Sequence, residues 1–221
     1  MDFPRTALVM GASGLVGSCL LATLLQSTRY SQVIALVRKP LLIDHPALVQ
    51  LQVNFQALEA DLVGIDADDV YCAFGTTIKQ AGSKQAFRSI DLIPAVLAGI
   101  MVKRAGHFLL VSALGANPNS VFFYSRVKGE MEQKLLSCGY PFVTIARPSL
   151  LLGQRQVSRP LENLGAGLFT VLKPVLLGPL KQIAGVRATD VAASMLRQAE
   201  AVAKGERTRR CVILNSAAMQ P

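Results

Sequence analysis

A chain of 221 residues can bury one full α/β core and little more. With 51% of its residues hydrophobic and only 17% charged, it is not an intrinsically disordered protein. Its net charge of +9 is spread along the chain with one dense cluster, Arg207-Thr208-Arg209-Arg210, and too few aromatic residues stand near the cations to suggest a nucleic-acid partner.

The first apolar run, Ala7-Leu8-Val9-Met10, reads as a buried strand and passes into Gly11-Ala12-Ser13-Gly14-Leu15-Val16-Gly17. An amphipathic helical run over 15–26 follows. In such a strand, turn and helix, the first glycine permits a tight turn, the second lets backbone approach a phosphate, and the third lets helix and strand pack closely. The helix N-terminus adds unpaired N–H groups and a partial positive charge suited to a pyrophosphate. The spacing is G-x-x-G-x-x-G, where G-x-G-x-x-G is commoner. The motif by itself therefore indicates a phosphate without saying which.

Val33-Ile34-Ala35-Leu36-Val37 is a continuous apolar run, expected of a strand buried on both faces, and it stops at Arg38-Lys39-Pro40. An NAD-binding unit would carry an acid at this strand end for the ribose hydroxyls. The cations Arg38 and Lys39 instead suit a 2′-phosphate, which favours NADP(H) over NAD(H), unless they are ordinary surface cations. Leu51-Gln52-Val53 reads as a short third strand, and topology places Asn54 where an adenine amino group could be read. A fourth strand over 69–74 ends in Gly75-Thr76-Thr77, small residues that leave room for a ligand. Residues 83–104 read as one long helix, N-capped by Ser83, bent or restarted at Pro94 and closed by Gly106. His45 and His107 stand alone, and no chemistry is expected of them. Phe108-Leu109-Leu110-Val111 is a fifth strand with Ser112 at its end.

Twelve residues after Ser112, Tyr124 opens a helical run to Leu136. Tyr124 and Lys128 are i and i+4 and lie on one face. Such a trio suits hydride transfer at a carbon bearing oxygen. The oxygen gathers negative charge and needs a proton, which a phenol supplies if a neighbouring ammonium lowers its pKa. A hydroxyl fixed at a strand end can hydrogen-bond that oxygen.

A sixth strand over 142–146 ends at Arg147-Pro148. Residues 154–160, with Arg155 and Arg159, read as a polar lid, and the apolar but Gly- and Pro-broken stretch 161–180 as short helices over the substrate cleft. Thr189 is expected to cap a helix to about 204 with Asp190 in its first turn, and Cys211 to open a last strand. The Arg207 cluster is either a solvated loop or an attractor of anions. Alternating strands and helices predict an α/β fold, a doubly wound parallel sheet with helices on both faces. One domain is expected over 1–221, with a cofactor-binding core at 1–146 and a small substrate-covering region at 147–221. Cys19, Cys72, Cys138 and Cys211 have no paired spacing, so neither a disulfide framework nor a metal site is expected. No apolar stretch is long enough to span a bilayer, and the early first strand leaves no room for a signal peptide, so a cytoplasmic monomer or homodimer is expected.

The chain resembles the atypical short-chain dehydrogenases/reductases, specifically the Tat-interacting-protein-like oxidoreductases. The likeness is carried by GASGLVG at 11–17, LVRKP at 36–40, YCAFGTT at 71–77, LLVSALGAN at 109–117, YSRVKGEMEQKL at 124–135 and RPSLLLGQRQVSRP at 147–160. It implies a Rossmann-type fold with Ser112, Tyr124 and Lys128 as the catalytic set. It also implies that Gly11, Ser13, Gly14, Leu15, Val16 and Arg38 hold NADP(H), with Gly75 and Thr76 along its length and Pro148 and Leu150 against the nicotinamide; Ala12, Lys39, Asn54 (from topology alone), Tyr124 and Lys128 complete the expected cofactor contacts. Asn54 stands where an Asp is frequent. Asp91 stands where extended members often have Asn, and could place a water or a backbone kink instead of joining a proton relay. The implied activity is NADP(H)-dependent hydride transfer to or from a small carbonyl or alcohol. The alternatives are an NADP(H)-sensing partner-binding protein, or an epimerase or isomerase with tightly bound cofactor. The last third is too short for the substrate domain of the sugar-nucleotide epimerases.

Overall fold

The computed structural model describes residues 5–55, 57–102, 105–153 and 185–220. Its strands are β1 (Arg5–Met10), β2 (Tyr30–Val37), β3 (Leu48–Gln52), β4 (Asp69–Cys72), β5 (His107–Val111), β6 (Phe142–Arg147), β7 (Leu151–Leu152), β8 (Val186–Arg187) and β9 (Cys211–Asn215). Its helices are α1 (Leu15–Gln26), α2 (Leu58–Leu62), α3 (Ile78–Ala81), α4 (Lys84–Asp91), α5 (Ile93–Met101), α6 (Phe123–Ser137) and α7 (Ala188–Ala203). Seven strands form one parallel sheet in the order β3-β2-β1-β4-β5-β6-β9, while β7 and β8 pair separately. This is the doubly wound sheet expected from the sequence.

The apolar runs are continuous because both faces of the sheet are covered. On one face Leu8, Met10, Val70, Phe108 and Ile145 pack with Phe87, Ala98, Val127 and Leu135 from α4, α5 and α6. On the other, Val9, Ala35, Tyr71, Leu109 and Ala146 pack with Leu20 and Leu24 of α1 and Val191 and Met195 of α7. Burying one such side chain contributes ~1.5–3 kcal/mol, so two covered faces are the main source of stability. The register aligns Leu51, Leu36, Met10, Cys72, Leu110, Ile145 and Ile213 in one row. Everything one or two residues past that row therefore meets on a single edge: Gly11, Arg38, Ala73, Ser112 and Arg147.

Several boundaries depart from the sequence reading. β2 starts at Tyr30, earlier than its apolar run, because the Tyr30 hydroxyl donates to buried Asp69 (2.7 Å) and shares a hydrogen bond with Tyr71 (2.8 Å). β4 stops at Cys72, where the Ala73 carbonyl turns against Gly11. Of the two outcomes open to the helical run at Pro94, it restarts: α4 and α5 share Leu92 as the residue between them, with Pro94 in the first turn of α5. Ser83 does cap α4, its hydroxyl accepting the Ala86 N–H at 3.0 Å. The second helix ends at Met101, and Gly106 instead donates to the Asp68 carbonyl beside β5. α7 begins at Ala188 with Arg187 at the cap, so Thr189 lies inside the first turn.

The edge opposite the aligned row is held by buried polar groups. Arg29 pairs with Asp69 at 2.8 Å. His107, the first residue of β5, meets Thr144 Oγ1 at 2.8 Å and Arg207 at 3.0 Å. Arg207 also donates to the carbonyl oxygens of Val143 and Arg209. The basic cluster is thus neither simply solvated nor an anion trap at this residue: Arg207 is a buried tie between β5, β6 and the segment before β9.

Candidate active site

The glycine turn is shaped by contacts that no side chain could share. Gly11 has φ +83°, and a Cβ there would come 2.8 Å from the Ala73 carbonyl oxygen. At Gly17 a Cβ would collide with the Gly11 carbonyl, so α1 packs directly on the turn. Gly14 is the α1 N-cap, with no side chain capping it and no acid in the first turn. Its own N–H donates to Gly11 O at 2.9 Å, and the first-turn amides remain open to an anion. Ser13 is exposed, whereas Ala12 and Val16 are buried, so these two could serve a ligand through backbone only. Leu15 lies under Gly153, where a Cβ would come 3.0 Å from its Cδ1. This brings the start of α1 against the β7–β8 pair.

Arg38 and Lys39 are exposed at the end of β2. The Arg38 carbonyl accepts from Gln52 Nε2 at 3.3 Å, and neither cation is ion-paired among the described residues. Asn54 follows β3, exposed, its N–H donating to Asp61 at 2.8 Å. Gly75 is exposed after β4, and the Thr76 N–H donates to Asp91 Oδ1 at 2.9 Å. Pro148 is buried with its carbonyl accepting the Leu114 N–H, while Leu150 is 38% exposed. The lid expected at 154–160 and the short helices expected at 161–180 fall outside the described residues.

Ser112 is buried past the end of β5, and its Oγ finds no hydrogen-bond partner among the described residues. A buried hydroxyl left unpaired costs stability, which fits a group reserved for a ligand. The loop from Ser112 to α6 is fastened to that helix: Asn117 N–H donates to the Ser125 carbonyl at 3.0 Å, and Arg126 to the Ser120 carbonyl at 2.8 Å. α6 is fixed in turn by Arg147, whose guanidinium grips Glu132 with two hydrogen bonds. Tyr124 stands at the start of α6, 37% exposed, its ring 5.6 Å from that of Phe87. Lys128 is buried one turn on, its Nζ 2.7 Å from Asp91 Oδ2. Asp91 itself is fully buried.

The electrostatics correct one expectation. Lys128 does pull the Tyr124 phenol down, but burial raises it more and Asp91 adds to the rise, so the net direction is upward. Burial lowers the Lys128 ammonium, and Asp91 and Tyr124 more than compensate, leaving it charged. Tyr124 is accordingly a protonated acid beside a compensated cation. The Asp91–Lys128 pair was not assigned from sequence. Its trace there is an acid directly before the uncharged stretch 92–102, where a buried carboxylate must find a partner.

The uncapped α1 turn, the cations unpaired among the described residues and the orphaned serine hydroxyl together fit a dinucleotide at this edge. Comparisons with known proteins agree. A family model described as NAD(P)H-binding matches residues 11–164. Protein FMP52-1, mitochondrial, of Scheffersomyces stipitis is 34% identical over 178 residues, 76% of each chain. Protein HTATIP2 of Rattus norvegicus is 33% identical over 171 residues, 75% of this chain and 70% of its own. Among solved structures, MoeE5 in complex with UDP-glucuronic acid and NAD superposes with a TM-score of 0.68 at 19% identity, covering 96% of this chain and 76% of that one. The human epimerase family protein SDR39U1 with NADPH gives 0.62 at 16%, covering 96% and 77%. These two likenesses speak for the fold alone. The cytoplasmic expectation is overturned by the FMP52 relatives, which are named mitochondrial. Where a first strand begins carries no information about compartment. No helix among the described residues is long and apolar enough to cross a membrane. On its sequence and its fold, the chain belongs to the NAD(P)-binding family of atypical short-chain dehydrogenases/reductases that includes the FMP52 and HTATIP2 proteins.

Proposed function

We propose that the protein is an NADP(H)-dependent oxidoreductase that transfers hydride between the cofactor and a small carbonyl or alcohol, with Tyr124 as general acid and base. The observation that carries this reading is a shared edge. The open start of α1, the cations Arg38 and Lys39 and the buried Ser112 hydroxyl, all unpaired among the described residues, lie past the same ends of the parallel strands. NADPH, when bound, supplies the hydride. In reduction, the Ser112 hydroxyl holds the carbonyl oxygen as negative charge gathers on it. The Tyr124 phenol, kept protonated by burial, then donates its proton to that oxygen. The Lys128 ammonium stabilises the phenolate left behind, which takes a proton from the alcohol in the reverse direction. Arg38 and Lys39 receive the 2′-phosphate, and the first-turn amides of α1 the pyrophosphate.

The test is turnover of NADPH against a panel of aldehydes and ketones. Tyr124→Phe is expected to lose ~100-fold or more in kcat while binding NADPH as the parent does. Undiminished turnover in that variant refutes the assignment. Nucleotide that stays bound through purification, with no net consumption of NADPH, would point instead to an epimerase.

A further inference from the structure

Asp91 sits at the end of α4 with one carboxylate oxygen hydrogen-bonded and the other in an ion pair that lacks hydrogen-bond geometry. Oδ2 lies 2.7 Å from Lys128 Nζ, and Oδ1 accepts the Thr76 N–H at 2.9 Å. These contacts join three segments distant in sequence: the loop after β4, the end of α4 and the second turn of α6. Asp91 is 0% exposed and Lys128 2%. A buried ion pair stabilises a fold no better than apolar side chains of the same volume, and often less well. A core that needed only filling would not place one here, between the glycine-threonine loop and the face that carries Tyr124.

We propose that Asp91 is a positioning residue of this site: its carboxylate holds the Lys128 ammonium at a fixed depth beside Tyr124 and ties it to the loop at Thr76, along which the dinucleotide lies. This rests on the reading of Tyr124 and Lys128 as the acid and its cation, although its test needs neither substrate nor cofactor. Asp91 makes Lys128 a compensated charge. Without Asp91, burial would push the Lys128 ammonium down, whereas the pair keeps it charged beside a phenol that stays protonated until the reacting oxygen needs the proton. The arrangement also lets anything that displaces the Thr76 loop be felt at Lys128 through one carboxylate.

Among the described residues, the groups facing Tyr124 and Lys128 are few. Asp91 comes from α4, and the Cys72 thiol from β4, pushed by burial up to about 12 and so uncharged. Lys84 and Arg126 face the neighbouring ring of Phe123. The chain has four tyrosines and no tryptophan, so tyrosinate absorbance in the near ultraviolet is unobscured. Tyr30, Tyr71 and Tyr140 are buried, with hydrogen-bonded hydroxyls, and burial raises all three. The half-exposed Tyr124 is therefore the first to ionise, an assignment checked by its loss in Tyr124→Phe.

In the apoprotein, Asp91→Asn keeps the shape and removes the charge. Lys128 is buried, so without its carboxylate the ammonium is expected to lose its proton at lower pH than in the parent, read by NMR titration of the lysine side chains with Lys128→Met assigning the signal. An unmoved Lys128 midpoint in folded Asp91→Asn overturns the proposal and leaves the Tyr124→Phe turnover test standing on its own. If Asp91→Asn does not fold, the comparison is Lys128→Met against the neutral pair Asp91→Asn/Lys128→Met. The Tyr124 phenol of the double variant then ionises at lower pH than that of the single one, and equal midpoints overturn the proposal.

Discussion

Replacing Arg38 by aspartate should reverse the choice of cofactor. The guanidinium is exposed at the end of β2, its backbone fixed by the Gln52 amide at its carbonyl, and no carboxylate among the described residues competes for it. Hydrogen bonds from a charged donor contribute ~1.5–3 kcal/mol, and exposure to water and salt holds this one near the lower figure. The introduced carboxylate repels the 2′-phosphate as well. Together these effects amount to about 2–3 kcal/mol, a ~30- to 150-fold rise in the Kd for NADPH. NADH has no 2′-phosphate, and an acid at this strand end can accept from its ribose hydroxyls, so its affinity holds or improves. Calorimetric titration with both cofactors at two ionic strengths measures this. Salt should weaken NADPH more in the parent than in the variant. Lys39→Ala should do less, since an ammonium on a flexible stem makes no two-pronged contact. Equal affinity of the parent for the two cofactors, or an equal loss of both in Arg38→Asp, would refute the reasoning.

Two further outcomes concern stability. Burial, with Arg207 beside it, pushes His107 from its ordinary value down to about 3. The unfolded chain therefore takes up a proton below pH ~6.5 that the folded chain refuses, and stability falls with pH from there to about 3. Between pH 7 and 4.5 the loss should reach about 2–3 kcal/mol by urea denaturation, and His107→Gln should flatten that part of the profile. An identical pH slope in the variant would show that His107 is not the group responsible. Gly17→Ala should lower stability by at least ~1–3 kcal/mol, because the added methyl meets backbone that cannot move aside. Gly75→Ala, whose Cβ meets nothing within 4 Å, should leave the melting temperature nearly where it was. Similar melting temperatures for the two variants would mean that α1 does not depend on its close approach to the turn.

Apart from the short β7–β8 pair and the start of β3 at Leu48, local chemistry is enough to place the strands, the glycine turn, the capped start at Ser83 and the shared helix face of Tyr124 and Lys128. Each depends on periodicity or spacing within about a dozen residues. The strand ends carrying Arg38 and Ser112 were legible for the same reason: an apolar run that stops at a polar residue marks the edge of a buried sheet. The boundaries that shifted are those set by distant residues. Tyr30 extends β2 because Asp69 is across the sheet, and Arg207 is buried because His107 and Thr144 wait for it. The paired state of Lys128 and the upward direction of the Tyr124 phenol belong to this second kind. Asp91 and Lys128 are separated by 37 residues of chain and a whole strand (β5), and only the order of strands in the folded sheet brings them to 2.7 Å. A sequence thus states which groups are present and on which face they lie, while charge compensation depends on distance and burial, which tertiary packing alone decides.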